Sequence, residues 1–125
     1  MNFLLDTHTL IWALENNPTL STGAREAIVD GKNLVFVSAV SIWEITIKNA
    51  IGKLKTPDNL IEEVELHRFT KLNIDFVHAR LAGRLPDIHK DPFDRMLIAQ
   101  AITEKLILVT RDQTIPKYDV KLLIA

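Results

Sequence analysis

"LVFVSAVSIWEITIKNAIG" (residues 34–52) joins two kinds of segment without a break. The first four residues are wholly apolar, as expected of a short strand covered on both faces. The rest is helical in spacing. Val40, Glu44, Ile47 and Ile51 share one face at three- and four-residue intervals, and the pattern stops near Gly52. The same alternation continues outward. "NFLL" (2–5) is a short apolar run ended by Asp6, "HTLIWALE" (8–15) is helical, and Ser21 caps a helix through about Asp30 that stops at Gly31. In the other direction, Pro57 or Asp58 opens a helix in "PDNLIEEVELHR", "FTKLNI" is compatible with a strand, and Asp75 caps "FVHARLAGRL". A helix from Pro92 to about Lys105, a strand at "LILVT" (106–110) and another at "VKLLI" (120–124) follow. Apolar strands alternating with helices predict an α/β chain: a central parallel sheet covered on both faces, with right-handed crossovers.

Length and composition are consistent with one globular domain over residues 1–125, with 47% apolar and 25% charged residues. The absence of cysteine excludes disulfides and thiolate metal sites and fits a reducing compartment. The N-terminal apolar run lacks a cationic leader and is interrupted by Asp6 and His8, so it does not read as a signal peptide. No apolar stretch is long enough to span a bilayer, and a cytoplasmic location is expected. A net charge of −1 means that any attraction to nucleic acid must be local.

In a parallel sheet, sites form where strand carboxyl ends meet the N-termini of the following helices. Asp6 ends the first strand, Asp112 follows "LILVT", and Glu44 lies in the early turns of the helix after "LVFVS". Asp94, in "HKDPFDRMLIAQA" (89–101), joins that edge only if its helix begins there. Each acid also has a purely structural reading. Ser41 and Glu44 match a capping box, Asp6 and Asp91 could cap helices, and Asp112 could form an Asx-turn. Glu44 and Asp94, however, lie in apolar helical stripes, where a charge needs a partner.

If the four carboxylates converge, each pair about 4 Å apart repels by roughly 4 kcal/mol at an effective dielectric near 20. Such a cluster must retain protons, recruit Lys or Arg, or bind a cation. An oxygen-rich, cysteine-free pocket suits Mg²⁺ or Mn²⁺, and the natural chemistry is phosphodiester hydrolysis.

"LLDTHTLIWAL" (4–14), "SAVSIWEITIKNAIGKL" (38–54), "HKDPFDRMLIAQA" and "LVTRD" (108–112) together resemble the PIN-domain family, more narrowly the VapC-type toxins of toxin–antitoxin pairs. The blocks occur in order over nearly the whole chain. The resemblance implies a three-layer, Rossmann-like α/β/α fold. It also implies an endoribonuclease dependent on Mg²⁺, with Mn²⁺ as substitute, and inhibited by a small antitoxin. Its acidic set falls on Asp6, Glu44, Asp94 and Asp112, with Asp6 and Asp94 best placed as direct ligands. Its small hydroxyl residue falls on Thr110. Asp91 is then the cap that positions Asp94, with a further role through a water open to it. Ile115 and Lys90 depart from residues frequent among relatives, which bears on packing and RNA contacts and not on the acids.

Arg95 and Arg111 each adjoin a proposed ligand and could hold RNA phosphates or pair with the neighbouring acids. Lys48, Lys53 and Lys55 read as a solvated basic group with an option on RNA. His8 reads as a helix-start residue whose ring helps orient the site, with contact to RNA as the alternative and no ligand role, while His67, His78 and His89 have no ligand spacing and read as surface or interface residues. Trp12 and Trp43 are either core or part of a partner groove, and a homodimer with an antitoxin segment in a hydrophobic groove is expected. Two rival readings remain: a catalytically silent module of the same fold, and an aspartyl phosphotransfer domain. The latter calls for a second acid next to Asp6 or two residues from it, which "DTHT" lacks.

Overall fold

The computed structural model describes residues 1–125. Five strands, β1 (Asn2–Leu5), β2 (Leu34–Ser38), β3 (Thr70–Leu72), β4 (Ile107–Thr110) and β5 (Leu122–Ile124), form one sheet in the order β3-β2-β1-β4-β5, and every pairing is parallel. The helices between them are α1 (Thr7–Leu14), α2 (Thr22–Val29), α3 (Ala39–Ala50), α4 (Leu60–Leu66), α5 (Phe76–Arg84) and α6 (Pro92–Glu104). A 3-10 turn at Ile115–Lys117 precedes the last strand.

Successive strand residues point to opposite faces, which splits the core in two. Phe3, Leu5, Val35, Val37 and Val109 pack with Leu10 and Ile11 of α1, Ala24 of α2, Ile45 of α3 and Val64 of α4. Leu4 and Leu108 pack with Ala82 of α5 and with Leu97, Ile98 and Ala101 of α6. The result is the three-layer α/β/α sandwich expected from the alternating pattern. No helix is long and apolar enough to cross a membrane.

Two helix starts differ from the sequence reading. Ser38, not Ser41, caps α3, accepting from the Val40 amide at 3.0 Å, so Ser41 and Glu44 form no capping box. The strand ends directly in the cap, which shifts Ser41 into the helix and Glu44 into its second turn. The helix after Pro57 starts only at Leu60. Thr56 is held by both groups of the Asn49 side-chain amide, so the chain before Leu60 is used in turning back from α3.

Candidate active site

Because β1 is central and all strands are parallel, the carboxyl ends of β1, β2 and β4 lie side by side. Helix α6 returns from that edge toward the start of β4, which puts its N-terminus there as well. Asp6, Glu44, Asp91, Asp94 and Asp112 all line one cleft of about 420 Å³, together with Thr7, His8, Trp12, Lys48, His89 and Arg111.

Each acid is fixed by local chemistry. Asp6 caps α1: Oδ1 accepts from the Thr9 amide at 2.9 Å, while Oδ2 accepts from the Thr110 hydroxyl at 2.5 Å. Glu44 is 3% exposed and both its oxygens are engaged. The Thr7 hydroxyl donates to Oε1 at 2.6 Å and Lys48 Nζ to Oε2 at 2.5 Å. Asp91 caps α6, with Oδ1 accepting from the amides of Phe93 (2.8 Å) and Asp94 (3.1 Å), and Pro92 occupies the first helical turn. Asp112 makes the expected turn contacts, accepting from the amides of Thr114 and Ile115 through Oδ1. Capping and a place in the cleft therefore coexist in Asp6 and Asp112.

Asp94 is the member whose protonation is most perturbed. Burial, followed by the charge of Asp91, pushes its carboxyl from 3.8 up to about 7; the Asp6 charge adds to this, while the hydrogen bond and charge of His89 work against it. His89 Nε2 lies 2.8 Å from Asp94 Oδ2 and 3.5 Å from Asp112 Oδ2. The ligand atoms of His89, Asp94 and Asp112 all lie within 4.8 Å of one another. A set of carboxylates, one of them pushed to about 7 by burial and neighbouring charge, fits a divalent cation, which would relieve that repulsion.

Several sequence readings need revision. Arg95 does not reach the cleft. Its guanidinium donates to the carbonyls of Ala82, Leu85, Pro86 and His89, at the C-terminal end of α5 and in the loop beyond, and it forms no ion pair with the neighbouring acids. His89 is a cleft residue, and His78 is buried, hydrogen-bonded to Glu104 and to the Asp75 amide. Lys48 is paired with Glu44, not merely solvated. Thr7, unremarked in the sequence, seats Glu44, and its only advance signal is its place between Asp6 and His8.

Arg111 does line the cleft. Its Nε and Nη2 donate to the main-chain oxygens of Ala125 and Thr19, and no acidic side chain pairs with it.

Residues 3–121 match the PIN domain family, and the chain belongs to that family. No curated protein matches the sequence. Among solved structures, the fold is similar to VapBC2 from Rickettsia felis, bound to a DNA fragment from the promoter (TM-score 0.73, 17% identity, 98% of each chain covered). VapBC-1 from nontypeable Haemophilus influenzae is similar with a TM-score of 0.70 and 19% identity, over 98% of this chain and 97% of that one. DNA-bound VapBC from Salmonella typhimurium gives 0.69 and 21%, again over 98% and 97%.

Proposed function

We propose that this PIN domain is a metal-dependent endoribonuclease and the toxin of a VapBC-type toxin–antitoxin pair. The observation that carries the reading is the assembly of Asp6, Glu44, Asp94 and Asp112, from positions scattered over the chain, along one cleft at the carboxyl edge of the sheet. Asp6 and Asp94, with Glu44 and Asp112 completing the set, would hold Mg²⁺, or Mn²⁺ in its place. The ion would supply charge neutralisation at the scissile phosphate and a water of lowered pKa.

The remaining work falls to the chain itself. Thr110 and the Thr9 amide orient the Asp6 carboxylate, and Thr7 and Lys48 orient Glu44. Asp91 fixes the start of α6 and thereby the position of Asp94. Arg111, which pairs with no acidic side chain and lines the cleft, is available to a phosphate.

RNA is the proposed substrate, the cytoplasm the proposed location, and an antitoxin and a second copy the proposed partners. Support for the partners comes from exposed apolar surface and from the VapBC neighbours. Trp43 is 60% exposed, edge-on to Phe93, and stands between two apolar grooves, one containing Ile42, Ile61 and Leu72 and the other Ile74 and Met96.

The test is incubation of purified protein with RNA in Mg²⁺ or Mn²⁺, with and without EDTA. Cutting that EDTA abolishes, leaving 5′-phosphate and 3′-hydroxyl ends, is expected. Cleavage persisting in EDTA, or 2′,3′-cyclic phosphate ends, would refute hydrolysis by a metal-bound site. No cleavage in either metal would favour a silent binding module.

A further inference from the structure

Trp12 is the one apolar side chain lining the acidic cleft, and it is flanked by two other planar groups. The Arg111 guanidinium lies over its ring, 4.7 Å from the centroid. The exposed His8 ring, one helical turn earlier on α1, has its centroid 6.0 Å away at a 45° tilt. Both rings ride on the helix that Asp6 caps, so one element fixes their position relative to an acid of the site. The bonds from Nε and Nη2 to main-chain oxygens hold the Arg111 plane in place, while Nη1 donates to no protein group.

A cleft lined by five carboxylates leaves a polyanion little electrostatic attraction beyond a bound ion and Arg111, so an attraction that does not depend on charge would add to its hold on a substrate. Flat rings provide one, since every base has a π face that can stack on His, Trp or an Arg plane. Building on the nuclease reading, we propose that His8, Trp12 and Arg111 form a nucleobase shelf. On it an unpaired base of the RNA stacks against the rings while Arg111 holds an adjoining phosphate. Bases inside a duplex are already stacked and cannot reach it, so the shelf selects single-stranded RNA or a loop.

Trp43→Phe leaves Trp12 as the only tryptophan, and an added Asp94→Asn blocks cleavage during titration. The probes are a short single-stranded oligoribonucleotide, the same sequence in a duplex, and an abasic strand of equal length, all in Mg²⁺. The single strand should quench Trp12 emission, and His8→Ala should weaken its binding roughly 5- to 150-fold, as loss of one stacked base does. Binding of the abasic strand should be weaker and indifferent to His8→Ala. Equal binding of the abasic strand, or a single strand unaffected by His8→Ala, overturns the shelf. If the unmutated chain still cuts RNA in that case, only the shelf falls. If it cuts none in Mg²⁺ or Mn²⁺, the nuclease reading falls and the shelf with it.

Discussion

Thr110 donates its hydroxyl to Asp6 Oδ2 at 2.5 Å, linking the last residue of β4 to the residue that follows β1. The strands are neighbours in register, with Leu5 opposite Val109, so residues 104 apart in sequence come within bonding distance. The same hydroxyl accepts from the Asp112 amide at 3.1 Å, so one side chain sets two acids. Thr110→Val keeps the shape and removes both bonds. Metal affinity and RNA cleavage should fall about 10- to 100-fold, as when the partner of a ligating carboxylate is lost. Thr110→Ser should retain most of both. Equal activity of the Val and Ser variants would show that the bond is incidental.

Asp94 makes stability depend on pH in a stated direction. Its carboxyl titrates near 7 in the folded chain against 3.8 in the unfolded one, so between those values the folded state binds more protons. Stability of the metal-free protein should therefore be highest below about pH 4 as far as this group is concerned, fall as pH rises toward 7, and level off above. Asp94→Asn removes that slope, preserves or raises the melting temperature at neutral pH, and abolishes cleavage. Melting curves of both proteins in EDTA across this range provide the check. A large loss of stability on Asp94→Asn at pH 7 would mean that the carboxylate serves the helix start alone.

The strands, most helix boundaries and the four acids were legible because each rests on short-range chemistry: apolar runs, caps, and acids placed just after strands. His89 was not, although it sits five residues before Asp94. Its position depends on Tyr118, whose hydroxyl accepts from the amides of Ile88 and His89 and donates to the Pro86 carbonyl. Nothing in "PDIHKD" shows that a tyrosine some thirty residues later will pin the loop. The direction of Arg95 is hidden in the sequence for the same reason. The carbonyls that consume its donors lie at the end of another helix, and adjacency to Asp94 in sequence says nothing of the direction in which the long side chain leaves α6.

His89 offers Asp94 a counter-dipole, and its hydrogen bond and charge are the two influences that lower that carboxyl's pKa. His89→Ala should push Asp94 higher and weaken divalent-ion binding about 10- to 100-fold, whereas His89→Gln, which keeps a donor, should lose less. Tyr118→Phe should act in the same direction through the loop. It also leaves the part-buried His89 amide without its acceptor, which costs about 1–3 kcal/mol. Mn²⁺ titration followed by electron paramagnetic resonance, without RNA, measures the ion affinity. Unchanged affinity in His89→Ala would remove His89 from the site.

His78 provides the opposite case, a buried histidine with a structural role. It is 1% exposed. Nδ1 accepts from the Asp75 amide at 3.1 Å, Nε2 meets Glu104 Oε2 at 2.8 Å, and its own amide donates to Asp75. The backbone amide at Nδ1 requires a lone pair there, so Nε2 carries the proton and donates to Glu104. The ring thus ties the start of α5 to the end of α6. His78→Ala leaves the Asp75 amide without an acceptor and opens a void between the two helices, which should cost about 1–3 kcal/mol. Thermal unfolding should show a lower midpoint, while cleavage per folded molecule below that midpoint is expected to match the parent chain. A variant that melts normally but cleaves poorly would instead tie this histidine to the chemistry of the cleft.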